Sequence, residues 1–365
     1  LNQEKEEAGD EAWANPRNAA AGSLKLLNPE EVAKRRLSIV FYGIADAPLD
    51  ILTKQSASHD LMKEWGLPIL ALHAACESID EIWNFVEKVR EKRKSLPFDI
   101  DGVVIKLDDI KEQQKLGVTG KNPRWAVAYK FAAEQAKTRI HQITVQVGRT
   151  GVLTPVAELT PVFLAGSTIA RATLHNEEEV QRKDIRVNDL VTIEKGGDVI
   201  PKVVEVDFLQ RPENSQPWIM PTTCPSCGAE VERVPGEVAV RCPNLSDCPA
   251  QVLRRILHFA GKSAMDIDNL GIKVAEQLVN RGFISQPSDI YTLNATQLAT
   301  LDGFKEKSID NLLKSIEHSK NVTLDRFIMG LGIKYVGIGT AELLAKKAGS
   351  VDSLRTFTYD ALMQI

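Results

Sequence analysis

The chain has 365 residues, with 45 Lys and Arg against 49 Asp and Glu and a formal charge of −4. This length allows two to four domains with ordinary globular cores, and the composition is that of a soluble protein. The balanced charge gives no general nucleic-acid signature, no apolar run reaches membrane-spanning length, and the polar, acidic start is no signal peptide.

Residues 1–135 mix helix and strand. SIVFYGI (38–44) and DGVVIKL (101–107) read as buried strands. DEIWNFVEKVREKRKSL (80–96) places Ile82, Phe85, Val86 and Val89 at helical spacing. Cys76, in the apolar stretch LPILALHAAC, reads as a small buried hydrophobe. Three stretches here can carry chemistry: NPRNAAAGSL (15–24), FDIDGVVIKL (98–107) and NPRWAVAYKF (122–131). In the third, strand alternation puts Ala126, Ala128 and Lys130 on one face, and Trp125, Val127, Tyr129 and Phe131 on the other. Small residues around one lysine leave room for a ligand, and an ammonium suits a phosphate. Asp101 and Lys106 fall on opposite faces under plain alternation, so a distortion at Gly102 or roles at the two strand ends are expected. Arg17 stands beside a small-residue loop as a phosphate contact. Each stretch alone also fits a solvated strand end; together they describe a nucleotide pocket rich in Lys and Arg.

Residues 136–220 turn strongly β, through HQITVQVG, LTPVAELTPVFL, STIARATL, DLVTIEKGG and VIPKVVEVDFL. About five short strands with Gly and Asn-Asp turns point to a small barrel, with the OB-fold the expected form.

Four of the five cysteines come next, in CPSCGAEVERVPGEVAVRCPNLSDC. Cys224-x2-Cys227 and Cys242-x5-Cys248, fourteen residues apart, have the spacing of a tetrahedral four-thiolate zinc site. VERVPGEVAVRC between them reads as two short strands around Pro235-Gly236. Disulfides compete with this reading but need an oxidising compartment, which nothing in the chain signals. Four thiolates close the metal's shell, so the zinc is structural. A segment this short cannot form its own core, and the expected role is a joint between the barrel and the C-terminal helical region.

Beyond the cysteines the chain is helical and carries 14 basic and 12 acidic residues in 249–365. DNLGIKVAEQLV, DGFKEKSIDNLL and VGIGTAELLAKK align with Asn269, Gly303 and Gly337 each 34 residues apart. The aromatic and Pro signature of tetratricopeptide repeats is absent. A tight, glycine-bearing turn that opens a helix is the helix-hairpin-helix pattern. Such a turn lets backbone approach a phosphate at a helix N-terminus, reading DNA without regard to sequence. A plain bundle with Gly-capped helices remains the alternative.

The order NPRNAAAGSL, LPFDIDGVVIKL, NPRWAVAYKF, QVGRTGVLTPVAEL, ATLHN, GGDVIPKV, four cysteines, hairpin repeats closely resembles the bacterial NAD-dependent DNA ligases over essentially the whole chain. The zinc ribbon and hairpins separate that family from ATP-dependent ligases and capping enzymes. The resemblance implies a multidomain α+β architecture. Residues 1–135 would be the C-terminal part of an adenylation (nucleotidyltransferase) domain, 136–220 an OB-fold, 221–250 a zinc finger and 251–365 a truncated helix-hairpin-helix domain. It implies sealing of nicked double-stranded DNA in replication and repair through enzyme-AMP and DNA-adenylate intermediates, with NAD, structural Zn2+ and Mg2+. The protein would be a monomer in the bacterial cytoplasm, associated with the nucleoid and not with membrane. Arg17, Arg93, Asp101, Lys106 and Lys130 would line the adenylate pocket. Arg149, Arg171, His175, Lys195, Gly303, Gly337 and Gly339 would face DNA, with His175 equally readable as a turn residue. Lys25 stands where many members have Arg, which keeps the charge without the bidentate reach.

One departure matters most. The family's nucleophile lies in Lys-x-Asp-Gly, and this chain has none: its two Asp-Gly pairs carry Asp99 and Thr300 where Lys belongs. With Leu at position 1, the expectation is a fragment unable to adenylate itself. The competing readings are a non-catalytic DNA-binding module of the same descent and another nucleotidyltransferase acting on RNA.

Overall fold

The structure is a computed structural model that describes the whole chain except residues 11, 14–15, 46–51, 120–121, 196–199 and 234. Asn15 of NPRNAAAGSL, the first four residues of GGDVIPKV and Val234 of the cysteine segment therefore lie outside the described residues. The chain divides into two units, one of residues 1–138, 160–170 and 192–204, the other of 139–159, 171–191 and 205–365.

In the first unit, helix α1 (Pro16–Ser23) takes up the stretch read as a small-residue loop. Three alanines are strong helix formers and Pro16 sits where a proline is tolerated, at the first helical residue, so the local preference is helical. Helix α2 spans Ala57–Glu64, and α3 spans Ile79–Lys92. The Ser78 hydroxyl caps α3, accepting from the Glu81 N–H at 3.2 Å. Strand β1 (Gly102–Lys106) pairs antiparallel with β2 (Ala126–Lys130). Val86 and Val89 of α3 pack with Phe131, against Ile82, Phe85, Val103 and Tyr129.

Three further expectations fail here. SIVFYGI is no buried strand: it makes one isolated bridge, Phe41 to Ile69, and Ile39 and Tyr42 are exposed. DGVVIKL is a strand but not a buried one; Val104 is 60 % exposed. A strand is buried on both faces only when layers cover both, and α3 covers one face of this two-stranded sheet. Cys76 is half-buried rather than enclosed.

Five strands close a barrel: β3 (Gln135–Val147), β4 (Leu153–Leu164), β5 (Ser167–Thr173), β6 (Leu190–Glu194) and β7 (Lys202–Val206), in the order β3-β4-β5-β7-β6. Two of them, at 13 and 12 residues, are longer than the short strands expected. A long strand can bend around a small barrel when its ladder is broken, and β3 shifts register between Ile140 and Gln142 against β4.

In the second unit, the Asp189 carboxylate is fully buried. It accepts from Arg211 Nε at 2.9 Å and from the Arg186 N–H at 2.8 Å, while Arg186 also donates to the Ser215 carbonyl. These bonds fasten the segment that leaves the barrel. Next comes a minimal hairpin, β8 (Glu232–Arg233) with β9 (Val240–Arg241), around Gly236 at φ 83°. The remainder is helical: α4 (Pro249–Ala260), α5 (Ile272–Asn280), α6 (Glu306–Ser319), α7 (Leu324–Leu331) and α8 (Ile338–Ala348). Ile256, Leu278, Ile290, Leu298 and Leu312 are fully buried in one contiguous core. Among the described residues, no helix is long and apolar enough to cross a membrane.

Candidate functional sites

Antiparallel partners share a sheet face, so the register settles which side chains meet. Gly102 opposes Lys130, Val104 opposes Ala128, and Lys106 opposes Ala126. Lys106 and Lys130 therefore stand on one face at opposite ends of the hairpin. They are about 13 Å apart along the strand at ~3.3 Å per residue, with small side chains between. Asp101 joins them at the Gly102 end, its carboxylate accepting from Lys130 Nζ at 2.5 Å. Gly102 makes this possible. A Cβ there would lie 2.2 Å from the Tyr129 carbonyl oxygen, so no other residue fits. The distortion expected at Gly102 is thus a close backbone approach. Both partners of the Asp101–Lys130 pair are more than half exposed, and such a pair contributes little stability, so an incoming phosphate can replace the carboxylate.

Lys106 Nζ lies 3.4 Å from the Tyr42 carbonyl and 5.5 Å from the centre of its ring. Burial lowers its pKa. Near it is a feature that no spacing in the sequence announces: His59 and His73 stack with centroids 4.4 Å apart and rings nearly parallel. Burial lowers the His59 pKa, and the charges of His73 and Lys106 push it the same way. Arg17 is exposed in the first turn of α1. Arg93 sits over the Phe131 ring, 3.8 Å from Glu134, on the α3 side of the hairpin rather than on the lysine face.

The four cysteines of the second unit converge, all four Sγ atoms lying within 4.8 Å of one another. Cys224 and Cys248 are 3.9 Å apart, and Cys227 and Cys242 3.5 Å. A tetrahedral zinc–thiolate site with Zn–S of about 2.3 Å puts its sulfurs about 3.8 Å apart, so the donor set fits zinc. Among the described residues, the cysteines form no disulfide. Burial pushes the Cys242 thiol up to about 12 and raises that of Cys224, while the Ala229 N–H lowers Cys227 to about 7.

The metal loop is tied to the barrel by the VGRTG turn. The Cys242 N–H donates to the Gly151 carbonyl at 2.9 Å, and a Cβ on Gly151 would lie 2.4 Å from the Cys242 carbonyl oxygen. Arg149 of that turn donates to the Gly332 carbonyl at 2.5 Å, and His258 bonds the Met329 carbonyl at 2.8 Å. Both side chains thus hold the carbonyl end of α7. Arg171 pairs with Glu158 at 2.6 Å, and Lys195 donates to the Ser167 hydroxyl at 2.8 Å. His175 has φ 63° and is exposed, in keeping with a turn position before the helix that Asn176 caps.

The hairpin turns correct the repeat alignment. The left-handed residues that open the turns are Asn269 (φ 69°), Gly303 (φ 79°) and Tyr335 (φ 67°), not Gly337. Helices α5, α6 and α8 are then capped by Gly271, Lys305 and Gly337. Tyr335 lies only 32 residues after Gly303, so the period of 34 does not hold for the third copy. The slip arises because spacing records where glycines fall and not which backbone turns left-handed. A Cβ added at Gly271, Gly337 or Gly339 would meet no atom within 4 Å, and none of the three has a positive φ. Among the described residues, nothing requires glycine there. The N-termini of α5 and α8 also lack side-chain caps, leaving their first N–H groups open.

Residues 1–134 match the NAD-dependent DNA ligase adenylation domain, 137–215 its OB-fold domain and 223–250 its C4 zinc finger domain. Residues 262–317 match a SAM-like helix-hairpin-helix tandem and 326–365 a helix-hairpin-helix motif. The whole chain is 60 % identical to 55 % of a DNA ligase from Protochlamydia amoebophila. It is 47 % identical to 54 % each of DNA ligases from Syntrophobacter fumaroxidans and Halalkalibacterium halodurans. The chain spans about half the length of the curated relatives it matches.

Proposed function

The chain belongs to the NAD-dependent DNA ligase family, and on that premise we propose that the whole protein seals 5′-phosphate/3′-hydroxyl nicks in duplex DNA during replication and repair. In the first step a lysine nitrogen forms a bond to the adenylyl phosphorus of NAD, and nicotinamide mononucleotide leaves. AMP then passes to the 5′-phosphate, and the 3′-hydroxyl displaces it. The attacking lysine is not among the residues of this chain, which has no Lys-x-Asp-Gly. What the chain contributes is the cationic face that holds the adenylate.

The observation that carries this reading is the placement of Lys106 and Lys130 on one small-residue face, with Asp101 beside Lys130. Lys130 would exchange Asp101 for the α-phosphate, and the freed carboxylate would take a magnesium ion, which neutralises phosphate charge. Arg17 would approach the nucleotide from α1, whereas Arg93, over Phe131 on the other face of the hairpin, would have to swing past the strand end to reach it. Arg171 and His175 of the second unit and Lys195 of the first would each meet DNA, while Gly303, Gly337 and Gly339 let the turns approach its phosphates. Gly337 and Gly339, which no contact among the described residues explains, stand at an uncapped helix end, as phosphate recognition by backbone requires. Arg149 would act chiefly by holding α7 against the barrel turn. The zinc finger would be the joint that keeps turn and helices in register. We place the protein as a monomer in the bacterial cytoplasm, at the nucleoid.

Incubation of this chain with adenine-labelled NAD and Mg2+, followed by a denaturing gel, tests the assignment. The expected result is no covalent label. Label on Lys106 or Lys130 would overturn their role as adenylate contacts and make one of them a nucleophile. The missing motif also favours a second reading, in which this chain alone serves as a DNA-binding module. Binding to a nicked duplex without any contribution to sealing, when the upstream part of the family is supplied in trans, would favour it.

A further inference from the structure

A cleft of about 900 Å³ opens in the second unit, and the ligase reading gives it no role. The Arg149–Thr150 turn, the metal loop from Cys242 to Leu245, helix α4 and the end of α7 contribute to its walls. Its size falls within the range of small-molecule sites. Phe259, Tyr291 and Phe327 line it, the first two edge to face at 6.2 Å. Phe259 belongs to the buried core, while Tyr291 and Phe327 are only partly buried and offer a flat ligand ring surface.

The lining carries Arg149, Arg241, Arg255 and Lys334 against the single carboxylate of Glu232. Three of these cations are engaged elsewhere. Arg241 and Lys334 both bind Glu237 at 2.7 Å, and Arg149 donates to the Gly332 carbonyl. Arg255 is different. Its Nε is buried and has no hydrogen-bond partner among the described residues. A buried N–H without an acceptor is unfavourable, and a guanidinium is best satisfied by a phosphate or carboxylate. Burial, seconded by the charge of Arg149, lowers the His258 pKa, so the charge in the cleft at neutral pH rests on the arginines and Lys334.

We propose that this cleft binds a nucleoside monophosphate, with its base against Tyr291 and Phe327 and its phosphate on Arg255. The rings call for a flat apolar body and Arg255 for an anion, and a nucleotide carries both. Its binding would stiffen the second unit, because Arg149 and His258 at the same cleft already hold the end of α7. The assignment does not rest on the ligase reading.

The test uses the full chain, zinc-loaded, with Lys106→Ala and Lys130→Ala to silence the lysine face of the first unit. AMP is titrated by calorimetry. Saturable binding is expected, weakened at least about tenfold by Arg255→Met, which keeps the apolar stem, and weakened also by Leu331→Trp, which adds bulk to the cleft wall. No saturation by roughly 10 mM, or equal binding in both variants, overturns the site. Adenosine binding as tightly as AMP would refute the role of Arg255, and inorganic phosphate binding as tightly would refute that of the rings. Should Arg255→Met fail to fold, Leu331→Trp decides alone. Loss of nicked-DNA binding with AMP binding intact would count against the ligase reading and leave this one standing.

Discussion

The metal loop and the helical region lie side by side in the second unit and are held together by opposite means. Between Cys224 and Cys248 the hairpin has two residues per strand, and the buried side chains of its cluster are three of the cysteines together with Val240, Met220 and two barrel residues, Val147 and Leu153. The helices beyond it bury sixteen side chains in one cluster. Below a certain length a chain cannot remove enough apolar surface from water to offset the entropy of ordering it. The loop falls below that limit and relies on ligation; the helices exceed it and rely on packing. Glycines then play different parts in the two. In the turn that meets the metal loop, Gly151 is required by the Cys242 carbonyl, whereas Gly337 and Gly339 of the helical region are required by no contact among the described residues.

This contrast can be broken most forcefully at the metal. Cys224→Ser, or chelation, should unfold the 224–248 segment, since structural zinc contributes about 10–16 kcal/mol in isolated fingers. Limited proteolysis should then cut within 224–248 first, with the helical core retaining its protection. Simultaneous loss of both would mean that the core depends on the joint.

A core truncation and a glycine substitution should separate stability from binding within the helices. Leu312→Ala is expected to cost about 2–5 kcal/mol in a denaturant titration. Gly339→Val should leave stability unchanged or slightly raised, because valine is the better helix former, yet weaken binding to nicked duplex at least about tenfold. Unaltered DNA affinity in Gly339→Val would remove the phosphate role from that turn.

The smallest effect concerns pH. His258 has a folded-state pKa below the ordinary 6.5, chiefly through burial. Its contribution is therefore complete above pH 6.5 and is lost as pH falls through the lower folded value. Protection factors of the amides at the end of α7, corrected for the slower intrinsic exchange at lower pH, should fall below about pH 6.5. His258→Gln should remove that pH dependence, and a profile unchanged by the substitution would assign it to another group.

Much of the lysine face and the metal site was legible in the sequence because both rest on local periodicity. Alternation over Ala126–Lys130 is a property of any strand, and two close cysteine pairs around a Pro-Gly turn constrain their own geometry. The helix α3 and the barrel were legible for the same reason. The buried reading of SIVFYGI failed because hydrophobic composition says which residues could be covered, not whether a layer covers them. The third hairpin was displaced by two residues because Tyr335, and not a glycine, adopts the left-handed turn.

The sequence by itself determined the order of domains, the zinc donors, the small-residue strand face and the existence of glycine turns ahead of helices. These depend on spacing within a few residues, where covalent geometry fixes the outcome. Only the tertiary structure decided that Gly102 lies against the Tyr129 carbonyl, that Arg149 bonds a carbonyl 183 residues away, and that Arg255 lines a cleft with its buried Nε unpartnered among the described residues. Those facts depend on which distant segments pack together, and packing is set by the sum of many weak contacts that no single stretch of sequence contains.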